Sequence, residues 1–62
     1  MSEFQSTIDR ADTLTRRWQR CEISALELEE ALLREGFFCV QFSRNTVRAT
    51  LAGINLQLGD KK

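Results

Sequence analysis

The sequence predicts an α+β fold, in which an N-terminal αα-hairpin packs on one face of a three-stranded antiparallel β-meander in the order ααβββ. Three observations predict it. Apolar residues recur at steps of three and four in two segments that together span residues 3–35. After Gly36 the apolar period changes to two. The remaining chain can then fold back twice so that apolar residues meet apolar residues. With 62 residues, we expect one small domain, 1–62.

The first helix is predicted at residues 3–20. Ser2 and Gln5 have the spacing of a capping box, which is typical of a helix start. An apolar stripe follows at helical spacing, and arginines near its C-terminal end suit the helix dipole. The stripe comprises Phe4, Ile8, Ala11, Leu14, Trp18 and Cys21. We expect Trp18 to lie either in the core or in the contact between two copies of the chain.

The second helix is predicted at residues 25–35. Ser24 and Glu27 form a clearer capping box, and Gly36 is suited to the left-handed position that ends a helix. The short link between the two helices predicts an αα-hairpin. The apolar stripe of this helix comprises Ala25, Leu28, Ala31 and Leu32, widened by Leu26 and Leu33.

Residues 37–58 alternate between apolar and polar side chains, which predicts strands at 37–43, 46–51 and 54–58. We place one turn at residues 44–45 and another at residues 52–53. The first turn pairs Phe42 with Val47, Gln41 with Arg48, Val40 with Ala49, Cys39 with Thr50 and Phe38 with Leu51. The second pairs Leu51 with Ile54, Ala49 with Leu56 and Val47 with Leu58. The last residues, 59–62, are expected to fray.

This register sorts the side chains onto two faces of the sheet. The apolar face, which we expect the helices to cover, collects Phe38, Val40, Phe42, Val47, Ala49, Leu51, Ile54, Leu56 and Leu58. The other face collects Cys39, Gln41, Ser43, Thr46, Arg48, Thr50, Asn55 and Gln57. This second face is almost uncharged, and it is either a partner-binding surface or simply the solvated side of a half-buried sheet.

Composition argues against enzymatic and metal-dependent functions. The chain has no histidine to act as a general base near neutral pH, and no glycine-rich loop for phosphate. Its two cysteines are far apart and lack metal-ligand spacing, so we expect no metal and no cofactor. Cys21 and Cys39 are expected to be small, buried or half-buried residues. We therefore predict that the protein is not an enzyme.

Net charge is zero, but its distribution is uneven: residues 22–35 are acidic, and both flanking segments are basic. This pattern indicates either charge complementarity between neighbouring elements or a dipolar surface for a charged partner. No apolar run is long enough to span a membrane, and the N-terminus does not resemble a signal peptide, so we expect a soluble cytoplasmic protein. Domains this small usually need an additional source of stability, which favours a homodimer.

The function predicted from these patterns is that of a small protein-binding module, either an adaptor or an inhibitor, with another protein as its partner. Accessory proteins of bacteria and their mobile elements are often of this size. The edge strand at 37–43 carries no charge and no proline, so it could pair with a copy of itself or with a partner strand. The predicted partner-binding residues are Phe37, Cys39, Gln41, Arg48, Thr50, Asn55 and Gln57. An acidic strip of Glu27, Glu30 and Arg34 is a further candidate, for a basic partner.

A second interpretation comes from the segment SRNTVRATL, residues 43–51. It resembles the recognition-helix segment of bacterial helix-turn-helix regulators of the GntR type and of some transposases. The resemblance implies a dimeric DNA-binding regulator whose recognition helix holds Val47 and Leu51 in the core. The DNA contacts would come from Ser43, Arg44, Asn45, Thr46 and Arg48. The preceding FFCVQF departs from the family pattern, because a short helix and a glycine turn are expected there. Zero net charge also provides no broad phosphate-binding surface.

Overall fold

The computed structural model describes residues 3–60 and contains two helices and one three-stranded antiparallel sheet. The predicted α+β layout, in the order ααβββ, is confirmed. In chain order the elements are α1 (Glu3–Gln19), α2 (Ala25–Glu35), β1 (Phe38–Phe42), β2 (Val47–Leu51) and β3 (Ile54–Leu58). The strands lie in the order β1-β2-β3. None of the helices in the described part of the chain has the length and apolar character that crossing a bilayer requires.

The second helix begins and ends as the sequence predicts. The Ser24 hydroxyl accepts a hydrogen bond from the backbone N–H of Glu27 at 3.1 Å, and the Glu27 carboxylate accepts one from the Ser24 backbone at 3.1 Å. Gly36 has a φ of 105°, and its N–H points back to the carbonyls of the last helical turn. The corresponding prediction for the first helix rests on Ser2, which lies outside the described residues.

Both helices pack against the same face of the sheet, and the core lies between the two layers. We call this side of the sheet the inner face, and the opposite side the outer face. Helix α1 lies against β3, and α2 lies against β1. The buried apolar residues are Ala11, Leu28, Leu32, Phe37, Val47, Ala49, Leu51 and Leu58. The fold is thus a two-layer sandwich whose outer sheet face carries no helix.

Two leucines of α2 lie on the surface, contrary to the prediction that they widen its apolar stripe. Leu26 is 64% exposed and Leu33 is 51% exposed, whereas Leu28 and Leu32 are fully buried. A helix turns by about 100° per residue. Neither leucine therefore shares the side of α2 that meets the sheet.

The hairpin between β2 and β3 has the predicted register. Leu51 lies opposite Ile54, Ala49 opposite Leu56 and Val47 opposite Leu58. The turn residues Ala52 and Gly53 have φ values of 53° and 79°. Positive φ at both central residues is the geometry of a type I′ turn, whose twist matches that of the flanking strands.

The hairpin between β1 and β2 departs from the predicted register because β1 contains a bulge. Phe42 lies opposite Val47 and Gln41 opposite Arg48, as predicted, but Phe38 then lies opposite Thr50 instead of Leu51. The predicted pairs of Val40 with Ala49 and Cys39 with Thr50 are absent from this ladder as well. Cys39 has a φ of 55°, and this left-handed residue inserts one extra position into the strand.

The bulge reverses the positions of two neighbouring phenylalanines. Phe37, predicted to contact a partner at the strand edge, is 1% exposed and belongs to the core. Phe38, predicted to lie in the core, is 49% exposed. Both predictions are wrong for the same physical reason: an extra residue in a strand moves every side chain before it to the opposite face.

Both cysteines are exposed and unpaired, which corrects the prediction that they are buried or half-buried. Cys21 lies in the link between the helices with a φ of 62°, and Cys39 lies in the bulge. Both residues therefore adopt left-handed backbone conformations outside the core. A free cysteine is usually buried, but the link and the bulge both leave the cysteine side chain at the surface.

The end of β3 is fixed to α1, although the sequence predicted a frayed tail from residue 59. The Gly59 N–H donates to Asp12 Oδ1 at 3.0 Å, and Gln19 Nε2 donates to the Gly59 carbonyl at 2.6 Å. The Gln19 amide also donates to the carbonyl of Asn45. We call the hydrogen bonds of Asp12 and Gln19 with Gly59 the Gly59 clasp. Lys61 and Lys62, the rest of the predicted tail, lie outside the described residues.

Candidate functional site

Six of the seven residues predicted to bind a partner line one shallow concavity on the outer face. Its volume is about 520 Å³. Phe37 is the exception, because it lies in the core. The six predicted residues are Cys39, Gln41, Arg48, Thr50, Asn55 and Gln57, and Ala49 and Leu56 complete the lining. The antiparallel register produces this grouping, since it brings the outward-facing positions of three strands side by side.

The centre of the outer face is a row of three side chains, one from each strand. Gln41 of β1 lies opposite Arg48 of β2, and Arg48 lies opposite Gln57 of β3. We call these three residues the central row. All three are exposed. Within residues 3–60, the Arg48 guanidinium forms no salt bridge and no hydrogen bond with a side chain or backbone group.

A neighbouring pair of polar side chains is fixed by a hydrogen bond. Thr50 Oγ1 donates to Asn55 Oδ1 at 2.8 Å, across the same two strands that carry Arg48 and Gln57. This contact occupies the amide oxygen of Asn55 and leaves its NH₂ group directed elsewhere. Gln57 Nε2 reaches Thr46 Oγ1 only at 3.5 Å, the long limit for such a bond.

The four arginines of residues 10–20 have acidic partners, in contrast to Arg48. The Arg10 guanidinium donates from both Nε and Nη2 to Glu35 Oε1, at 3.1 and 2.8 Å. This hydrogen bond and the charge of Glu35 raise the pKa of Arg10. The other ion pairs are Arg16 with Asp12, and Arg17 and Arg20 with Glu22. In the acidic segment 22–35, complementarity with the neighbouring basic segment therefore involves Glu35, which pairs with Arg10, and Glu22, which pairs with Arg17 and Arg20.

A guanidinium between two primary amides can recognise a carboxylate. The planar arginine fork donates two parallel N–H bonds to the two oxygens of a carboxylate. The flanking glutamines supply further N–H donors for the same oxygens and C=O acceptors for backbone N–H groups nearby. The central row thus has the chemistry to bind an acidic side chain, or a chain terminus, together with adjacent backbone.

The helix-turn-helix interpretation of residues 43–51 is wrong, because this segment contains no helix. Ser43, Arg44, Asn45 and Thr46 form the turn between β1 and β2, in which the Ser43 N–H donates to the Thr46 carbonyl at 2.9 Å. Val47–Leu51 is the central strand of the sheet. Val47 and Leu51 are buried, as that interpretation also required. The alternation of apolar residues at positions 47, 49 and 51 distinguishes the strand from a helix.

The acidic strip on α2 is a weaker candidate surface. The Glu27 carboxylate is engaged in the N-terminal cap of the helix, while Glu30 and Arg34 are exposed on its outside. Sequence reasoning missed the exposure of Ile54, which is 59% accessible although it points to the inner face. Alternation shows which face a residue occupies, but it does not show whether a helix reaches far enough to cover it.

Within residues 3–60, no three histidine, cysteine, aspartate or glutamate side chains are grouped so that they could hold a metal ion. Comparisons of the chain with protein-family models, with curated proteins and with solved structures find no match.

Proposed function

We propose that this chain is a small non-enzymatic protein-binding module, an adaptor or an inhibitor, that receives a carboxylate of its partner on the outer face. The observation that carries the proposal is the central row, in which Arg48 lies between Gln41 and Gln57 without an acidic neighbour. The ion pairs of Arg10, Arg16, Arg17 and Arg20 support it, because acidic neighbours neutralise the arginines of residues 10–20, whereas Arg48 has no such neighbour.

A protein partner fits this surface better than a nucleic acid does. Binding to a phosphate backbone draws most of its affinity from several basic side chains acting together. The outer face carries Arg48 as its sole charged side chain among the residues that line the concavity. A single guanidinium flanked by amides suits one carboxylate, with neighbouring peptide groups occupying the uncharged positions around it.

The test is a selection of peptides from a random displayed library on the wild-type protein. We expect the selected peptides to share an aspartate, a glutamate or a free C-terminal carboxylate. Arg48→Gln should weaken their binding by about tenfold or more, as measured by isothermal titration, because it removes a charge-assisted pair. The matched control is Arg34→Gln, an exposed arginine on α2, which should leave the affinity unchanged.

The proposal fails if the selected peptides lack carboxylates and bind the Arg48→Gln variant as tightly as they bind the wild type. Folding does not confound the comparison, since Arg48 is exposed and an exposed substitution changes stability by about 0.5 kcal/mol or less. Circular dichroism of both variants checks this directly.

We also propose that the module works as a cytoplasmic homodimer that pairs through a sheet edge. Two free, exposed cysteines are compatible with a reducing compartment. A three-stranded sheet has two edges, and each edge presents backbone groups that can pair with another strand. The small size of the domain makes additional buried surface valuable for stability.

A further inference from the structure

We infer that β3 is the edge that pairs, antiparallel to β3 of a second copy, with Leu56 on the twofold axis, so that two three-stranded sheets become one sheet of six strands. This inference rests on the proposed homodimer and names the strand that forms it. It differs from the expectation drawn from sequence, which placed self-pairing on residues 37–43.

The two edges of the sheet differ in regularity. Strand β3 pairs with β2 through five consecutive residues without interruption, whereas β1 shifts register at Cys39. A bulge twists an edge strand and breaks the spacing of its free N–H and C=O groups, and natural proteins use bulges to prevent edge pairing. The bulged β1 is therefore a poor template for another strand, and β3 is a good one.

The edge of β3 that faces away from β2 is not covered by other hydrogen-bonding groups. Among the described residues, no loop and no side chain hydrogen-bonds to the peptide groups of Ile54–Leu58. The segment contains no charged residue and no proline, and it is bounded by Gly53 and Gly59. It thus lacks the charges and prolines that usually prevent pairing at an edge.

The sequence of β3, INLQL, is a palindrome in residue class: apolar, amide, apolar, amide, apolar. Antiparallel pairing about Leu56 sets Ile54 beside Leu58 of the second copy and Asn55 beside Gln57 of the second copy. Each residue then lies opposite a residue of the same class. The leucines and isoleucines lie on the inner face of the sheet, and the amides lie on the outer face. A twofold interface needs such self-complementarity.

The pairing also explains why Ile54 is 59% exposed although it points to the inner face. Leu58 is 2% exposed because α1 lies against the end of β3, with Asp12 and Gln19 bonded to Gly59. In the paired sheet, Ile54 lies next to Leu58 of the second copy, beside that copy's α1. The exposed isoleucine of each chain thereby gains apolar surroundings that its own helices do not supply.

The experiment is size-exclusion chromatography with light scattering over a range of micromolar concentrations. We expect the wild type to be a dimer at the upper end of the range. The variant Asn55→Lys/Gln57→Lys should be a monomer, because it sets lysine opposite lysine twice across the axis. Mixing it with Asn55→Glu/Gln57→Glu should restore a dimer that contains one chain of each kind.

A second variant tests the apolar contribution without adding charge. Ile54→Ser should raise the dimer dissociation constant by about tenfold, since it removes an apolar side chain from the interface. The matched control is Leu26→Ser, at a leucine that is 64% exposed on α2, which should leave the dissociation constant unchanged. Circular dichroism verifies that every variant remains folded.

The outcomes separate the two proposals. A wild type that stays monomeric throughout the range overturns the homodimer, and with it the pairing of β3. A wild-type dimer that survives both Asn55→Lys/Gln57→Lys and Ile54→Ser overturns the assignment to β3 and leaves the homodimer standing. Loss of the dimer in those variants, with recovery on mixing opposite charges, supports the assignment. None of these results depends on the carboxylate proposed to bind Arg48.

Discussion

The two outer strands, β1 and β3, have the same length and flank the same central strand, but they are constructed differently. Strand β1 is bulged at Cys39, follows the buried Phe37 and presents Phe42 to Trp18, whose ring lies at 5.2 Å in an edge-on arrangement. Strand β3 is regular along its whole length, and the Gly59 clasp attaches its C-terminal end to α1. One edge strand is therefore irregular and held by aromatic packing, and the other is straight and held at its end.

The difference shows that two segments with the same alternation of apolar and polar residues can form edge strands of different backbone regularity. In β1 a single left-handed residue decides which phenylalanine enters the core, and the same residue makes the edge unsuitable for pairing. In β3 the alternation continues without interruption, so its edge keeps the even spacing of backbone groups that another strand requires. Three pairs of substitutions test this contrast.

The largest expected effect concerns the two phenylalanines at the start of β1. Phe37→Ala should destabilise the fold by about 3–5 kcal/mol, because it leaves a cavity in the core. Phe38→Ala should change stability by less than about 1 kcal/mol, since Phe38 is largely on the surface. Urea denaturation followed by circular dichroism measures both.

A domain of this size has a total stability of roughly 3–5 kcal/mol, so Phe37→Ala is expected to leave the chain largely unfolded. Phe37→Leu, which keeps most of the apolar volume, provides a variant whose unfolding midpoint can be measured. Equal effects of truncating Phe37 and Phe38 would show that β1 has no bulge in solution.

The next effect concerns the two glycines that bound β3. Gly59 has a φ of 75°, and a Cβ there would lie 2.6 Å from Thr15 Cγ2 and 2.6 Å from Gln19 Nε2. Gly59→Ala therefore combines a left-handed alanine with a steric clash against α1, and we expect a loss of about 3 kcal/mol. Gly53→Ala is the matched control, because Gly53 has a φ of 79° with nothing within 4 Å of its Cβ position.

Gly53→Ala should lower the unfolding free energy by only about 1 kcal/mol, from backbone strain alone. Thermal unfolding of the two variants isolates the steric part as their difference. If the two variants unfold at the same temperature, the end of β3 is not packed against α1. This result would contradict the proposed difference between the two edge strands.

The smallest effect concerns the acid dependence of the clasp. Burial alone would raise the pKa of Asp12, but the hydrogen bonds from Arg16 and from the Gly59 backbone N–H outweigh it and lower the pKa below its ordinary value of 3.8. A lowered pKa in the folded state means that the charged carboxylate stabilises the fold above the ordinary value. This stabilisation is lost as pH falls through the folded-state pKa.

We therefore expect Asp12→Asn to reduce the loss of stability that the wild type shows below about pH 4, as measured by urea denaturation at several pH values. The matched control is Asp9→Asn on the same helix, which leaves the Gly59 clasp intact. If the unfolding free energy of Asp12→Asn falls with pH in parallel with that of the wild type, Asp12 does not contribute to the acid sensitivity of the fold.

Much of the architecture follows from local sequence signals. The boundaries of α2 were predictable because Ser24, Glu27 and Gly36 have specific hydrogen-bonding and conformational roles at helix ends. The β2–β3 hairpin was predictable because one register alone places the apolar residues of both strands on one face. These signals act within a few residues of each other, so the sequence contains them directly.

The bulge and the clasp were not predictable, because tertiary contacts produce them. Cysteine has no marked preference for a positive φ, so nothing local identifies Cys39 as the extra residue. Gly59 looks like the start of a polar tail, and only the approach of α1 makes it a buried anchor. Of the candidate site, alternation located the outward-facing residues correctly except Phe37, which lies before the bulge. The sequence could not predict that Arg48 lacks an acidic partner, because it does not show which acidic side chains pair with the other arginines.

The contact between Trp18 and Phe42 provides a built-in optical probe, since the chain has a single tryptophan. The indole ring lies where α1 meets β1, so its emission responds to separation of the helices from the sheet. Far-ultraviolet circular dichroism responds to loss of the secondary structure itself. Coincident transitions from the two signals would show that both layers of this small domain melt as one cooperative unit.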